Sequence, residues 1–131
     1  MSLERLAART PVHVAIGFLA MGGWAVWANA VHGTGAALLA GLVQGSLSGA
    51  LTLGLKRSVD WLRPRMRGPL AYLAPPLIAG GCSALLLITA HGIAGTPELW
   101  ATVAVPLAVS FSYIFAYNIL RQRRTERSRD A

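Results

Sequence analysis

Four long apolar runs, separated by short polar punctuation, set the plan of this chain. Residues 12–31, 36–55, 71–90 and 99–120 contain no Asp, Glu, Lys or Arg. Each is about 20 residues long, which as helix crosses a hydrocarbon core of about 30 Å. The pattern therefore predicts an all-α membrane protein with four transmembrane helices. The local signals at the run ends agree. Thr10-Pro11 reads as a helix cap followed by proline at the first helical position, and Thr96-Pro97-Glu98 repeats that start with an acid near the positive end of the dipole. His32-Gly33-Thr34-Gly35 and His91-Gly92-Ile93-Ala94-Gly95 read as turns. Pro75-Pro76 predicts that regular helix in the third run begins only at that pair, and Pro106 predicts a kink in the fourth.

The second run carries the clearest internal pattern. At about 100° per residue, Gly41, Gln44, Gly45, Ser48, Gly49 and Thr52 fall on one helix face, and Leu42, Val43, Leu47, Ala50, Leu51 and Leu53 on the other. The leucine face suits lipid, and the glycine face suits close approach of another backbone. Whether that partner lies in the same chain or in a second copy is left open by the pattern. Gln44, Ser48 and Asn118 are the principal polar groups inside the runs. An amide at such depth either lines a path for a polar head group or hydrogen-bonds to a neighbouring helix.

Composition excludes an ordinary soluble domain. The 131 residues are 54% hydrophobic and 13% charged, with mean hydropathy +0.51, so a single membrane domain accounts for the whole chain. The net charge of +7 would suggest nucleic acid in a polar protein, but every Lys and Arg lies in one of three blocks, 5–9, 56–67 and 121–129, that flank the runs. That placement encodes topology, and nucleic acid is not an expected partner. It predicts both termini and the loop 56–68 on the cytoplasmic side of the membrane, with 121–131 as a basic, frayed tail and Val59, Trp61, Leu62 and Met66 resting the loop among head groups. Trp27 and Trp100 then mark the outer interface and Trp61, Tyr72 and Tyr117 the inner one. The basic start, apolar stretch and Ala28-Asn29-Ala30 also fit a cleaved secretory signal, but the run exceeds the usual h-region of about 7–15 residues. An uncleaved first span is the expectation.

The two halves repeat. Each has a span with paired glycines (Gly22-Gly23, Gly80-Gly81), a His-Gly turn, and a span with small residues every fourth position that runs into basic residues. Ala104, Ala108, Ser112 and Ala116 stand where the first half has Gly41, Gly45 and Gly49, which predicts helix packing through both stripes. The expected architecture is two similar helical hairpins, N-in/C-in, related by an axis along the membrane normal.

Ser110-Phe111-Ser112-Tyr113-Ile114-Phe115-Ala116-Tyr117-Asn118-Ile119-Leu120-Arg121, with its first-half counterpart Leu51-Thr52-Leu53-Gly54-Leu55-Lys56-Arg57, resembles the GtrA-like small four-span membrane proteins. The resemblance covers most of the chain in layout. It implies a protein that moves polyprenyl-phosphate-linked sugars across the inner membrane, or that assists the glycosyltransferases using them.

Residue chemistry narrows the choice further. No run holds Asp or Glu, which argues against a carboxylate-coupled antiporter. No nucleophile, base and orienting group occur at motif spacing, so neither an enzyme nor a cofactor is expected. His32 and His91 either form a metal or proton site where the turns meet or cap helix carbonyls, the simpler reading; His13 reads as interfacial. Cys82, alone, forms no internal disulfide. The candidate ligand site is the basic rim: Lys56, Arg57, Arg63, Arg65, Arg67, Arg121, Arg123 and Arg124, suited to an anionic lipid or a polyprenyl phosphate. Against it stands a rim that serves topology alone. The competing function is a non-catalytic accessory subunit, and four short spans suggest a homo-oligomer or a larger membrane partner in either case.

Overall fold

The computed structural model describes residues 10–130, with side chains from 11 to 128. The basic start of the chain, residues 1–9, lies outside the described residues, as does the capping hydroxyl expected of Thr10. Four helices follow one another: α1 (Thr10–Asn29), α2 (Thr34–Leu62), α3 (Leu70–Ile93) and α4 (Leu99–Asp130), with single 3-10 turns at Ala30–His32 and Arg63–Arg65. All four are long and apolar enough to cross a membrane. The chain has the build of a multi-pass membrane protein. Gly33, Gly68 and Gly95, all at positive φ, turn the chain at its three connections.

Three boundaries differ from the sequence reading, each for a physical reason. The expected loop 56–68 is helical as far as Leu62, because Leu55, Val59 and Leu62 continue one face and Leu55 and Val59 are buried against Ala79 and Ile114. The expected frayed tail is helical to Asp130, and its first turns are held by contacts to Asp60, Arg63 and Ala71. Helix α3 begins at Leu70, ahead of Pro75 and Pro76. Those prolines have no N–H to offer the carbonyls of Ala71 and Tyr72, four residues earlier. Asn118 Nδ2 supplies both, at 3.0 and 2.8 Å, and Gln122 Nε2 donates to Ala71 O at 2.9 Å.

Glycine brings α1 and α2 together. A Cβ on Gly22 would stand 2.9 Å from Gly41 O, and one on Gly45 would stand 2.9 Å from Phe18 O. Gly41 also receives Val26, and Gly49 receives Val14. The stripe of α2 is thus filled from within the chain. The second-half stripe is not: Ala104, Ala108 and Ser112 are exposed on α4. The packing expected of them is absent within the chain, where Phe111 of α4 fills the space over Gly80.

Polar side chains are buried alongside a small apolar core, and many large apolar side chains are exposed. Asn29, Gln44, His91, Thr102 and Asn118 are 0% exposed, whereas Leu19, Trp27, Leu85 and Trp100 are about 70% exposed. Such an arrangement would be unstable in water and suits hydrocarbon, where the backbone and polar side chains must find partners inside.

Candidate functional site

The basic end is built where the turn after α2 meets the start of α3 and the overhang of α4. Pro64 ends α2, and the 3-10 turn swings Arg63 toward α4. There Arg63 Nη1 donates to Thr125 Oγ1 at 2.7 Å and to Arg121 O at 3.5 Å. Among the described residues no carboxylate pairs with this guanidinium, and its Nε is buried without a partner there. Beside it lies a polar cavity of about 560 Å³, lined among others by Arg63, Arg67, Tyr72, Gln122, Thr125 and Glu126. The one carboxylate in its wall, Glu126, accepts from Tyr72 Oη at 2.7 Å. Arg67 is exposed and makes no hydrogen bond or ion pair among the described residues. The N-terminus of α3 opens onto the same space, through Gly68 and Ala71. Two guanidinium groups and a helix N-terminus make this cavity favourable to an anion.

The eight rim residues named from sequence divide rather than converge. Arg63 and Arg67 line the cavity. Arg121 is drawn to Asp60, with Nε 3.4 Å from Oδ1, and Asp60 Oδ2 accepts from Tyr117 Oη at 2.8 Å. Arg65 lies over the Trp61 ring, 3.6 Å from its centroid, and donates to Trp61 O. Lys56 Nζ stands 5.7 and 5.8 Å from the ring centroids of Tyr113 and Tyr117. Arg57, Arg123 and Arg124 are exposed. Gln122, Thr125, Tyr72 and Glu126 were missed by the sequence reading. Residues 118, 122 and 125 share a helix face, so continuing the polar stripe of α4 past Asn118 would have found two of them.

A second polar assembly lies toward the opposite end. His91, fully buried, is 2.9 Å from Gln44 Oε1 through Nε2 and 2.8 Å from Thr96 Oγ1 through Nδ1. Gln44 Nε2 donates to Ser48 Oγ at 2.9 Å, which leaves its carbonyl oxygen for the imidazole. His91 Nε2 therefore carries the proton, and Nδ1 accepts from the threonine hydroxyl. Gln44 thereby joins α2 to α3. His91 does not cap carbonyls. Thr96 does not cap α4 either, since its hydroxyl is on His91, and the Glu98 N–H is received instead by Asn29 Oδ1 from α1, at 3.0 Å. Asn29 Nδ2 also donates to Thr102 Oγ1 at 2.7 Å, and His32 Nε2 pairs with Glu98 Oε1 at 2.8 Å. The two histidines thus serve different partners. Among the described residues no three His, Cys, Asp or Glu stand together in a group that could hold a metal ion.

Between these ends, a groove of about 200 Å³ lies among α1, α2 and α4, with Leu87 of α3 also in its wall. Gln44, Ser48 and Thr52 of α2 face Pro106, Ser110 and Tyr113 of α4 across it.

The chain matches no family model, and neither a curated protein nor a solved structure matches it.

Proposed function

We propose that this protein binds an anionic, phosphate-bearing lipid, in the manner of a polyprenyl-phosphate-linked sugar, in the cavity at its basic end, and moves it across the membrane or presents it to a partner. The reading places the chain in a bacterial inner membrane as two hairpin units, with both termini and the basic end in the cytoplasm. The carrying observation is Arg63, a guanidinium held in the wall of a polar cavity by a hydroxyl and a carbonyl and paired with no carboxylate among the described residues. A phosphate accepts two parallel N–H bonds from such a fork and gains from the N-terminus of α3. The layout shared with GtrA-like proteins supports the same substrate class.

Native mass spectrometry of the protein from nanodiscs, titrated with polyprenyl phosphate and with the uncharged polyprenol, tests the reading. Arg67 makes no hydrogen bond or ion pair among the described residues that its loss would break, so R67Q is expected to fold normally and to bind the phosphate lipid about ten- to a hundredfold more weakly, as for one charge-assisted bond. R63Q should bind weaker still, and polyprenol should not bind. Equal retention of polyprenol and polyprenyl phosphate, or unchanged binding by R67Q, contradicts it.

A second reading, the accessory subunit, is favoured by one observation. Ala104, Ala108 and Ser112 form an exposed small-residue stripe on a span, and such stripes let another helix approach closely. Under this reading A108L separates the protein from its partner or second copy and leaves lipid retention intact.

A further inference from the structure

The groove between α1, α2 and α4 is independent of the anion cavity: on α4 it uses Pro106, Val109, Ser110 and Tyr113, a different face from Gln122, Thr125 and Glu126. Its walls are mostly aliphatic, from Gly17, Met21, Leu51, Leu55, Leu87 and Val109. Four hydroxyls, those of Ser48, Thr52, Ser110 and Tyr113, interrupt them. Ser48 Oγ accepts from Gln44 but donates to nothing among the described residues, and the hydroxyls of Ser110 and Tyr113 make no hydrogen bond there at all. Ser48 and Ser110 lie near the middle of their spans. Hydrocarbon offers no acceptor at that depth, and a hydroxyl left without one is costly. Thr52, by contrast, already donates to Ser48 O at 2.8 Å. The deep end is closed by Gln44, whose amide is fixed by His91.

The space and its chemistry define an occupant. A dry cavity of about 150 Å³ accepts benzene, so about 200 Å³ accepts one substituted ring. No carboxylate or cation lines the groove, so the ring is neutral. Donors without acceptors call for oxygen atoms that accept, and their midspan depth excludes the ester region of a phospholipid, which stays near the interface.

We infer that the groove is a binding site for a neutral, lipid-soluble ring compound bearing carbonyl oxygens, of the quinone class, held by the Ser48 and Ser110 hydroxyls. No redox step is implied, and the site stands or falls apart from phosphate binding at the basic end.

Two probes of one shape separate the possibilities: duroquinone, with two ring carbonyls, and durene, the hydrocarbon with the same four methyl groups. Radiolabelled forms are equilibrated with nanodiscs containing or lacking the protein. Saturable binding of duroquinone is expected, about tenfold tighter than durene, as two modest hydrogen bonds give. S110A, which breaks no protein hydrogen bond, should lose several-fold of the duroquinone affinity and leave durene unchanged. L51W, which fills the groove, should abolish saturable binding of both. Equal affinity for durene and duroquinone, insensitivity to S110A, or no saturable binding of duroquinone to the intact protein overturns the inference.

Discussion

Asn118 shows how one side chain decides a boundary between elements. Pro75 and Pro76 strip the Ala71 and Tyr72 carbonyls of their helical donors, and α4 lies over them. The Asn118 amide donates to both. Removing it should therefore destabilise the protein by about 1–2 kcal/mol, given the net worth of a hydrogen bond and the membrane average nearer 0.6. The effect should depend on the prolines. With P75A and P76A restoring the helical N–H donors, N118A should cost less than half as much, a coupling read from a double-mutant cycle of unfolding in mixed micelles. An equal cost of N118A in both backgrounds would mean that the side chain does something other than replace the missing donors. Arg63 and Arg67 stand at the same scale for binding, and the R67Q comparison with polyprenyl phosphate and polyprenol belongs to them.

Among the elements, the α1–α2 contact is the most constrained. The Gly22–Gly41 approach and the seat of Phe18 on Gly45 leave no room for a side chain. G45L should separate α1 from α2, with a loss of about 1–3 kcal/mol as for overpacking, or more where backbone blocks relaxation. G54L should be silent, because nothing lies within 4 Å of its Cβ position. Denaturation of the two variants side by side checks this, and equal stability would contradict the packing. The glycine face of α2 was legible from its four-residue spacing, since close approach needs glycine whatever the partner. Its partner was not legible, because periodicity identifies a face and not what meets it. For the same reason Ala104, Ala108 and Ser112, similar in spacing, turn out exposed. The start of α3 was misread because the missing donors come from α4, forty-odd residues on. The continuation of α2 to Leu62 was legible in the register of Leu55, Val59 and Leu62, but the charges between them obscured it. In the candidate site, the arginine types pointed to an anion, and only the fold separates Arg63 and Arg67 from Arg121 on Asp60 and Arg65 on Trp61.

The whole molecule is organised by its solvent. Polar groups turn inward: His91 to Gln44, Asn29 to Thr102 and Glu98, Asn118 to Ala71 and Tyr72. Leu19, Leu85, Trp27 and Trp100 turn outward. All arginines and the lysine of the described helices and turns lie at or beyond the ends where α2 meets α3 and where α4 overhangs, while Glu98 marks the other end. Four crossings with the basic groups gathered on one side satisfy both patterns, and the anion cavity and the ring-sized groove both presuppose that placement. The measurement that tests it most directly is cysteine accessibility in sealed inner-membrane vesicles of known orientation. In a C82S background, single cysteines replace Arg67, Arg124, Gly35 and Gly95, and a membrane-impermeant maleimide is added from one side at a time. The account predicts that positions 67 and 124 react only from the cytoplasmic face and 35 and 95 only from the opposite one. Reaction of 67 and 95 from the same side, or of all four from both, would contradict four spans and the functions built on them.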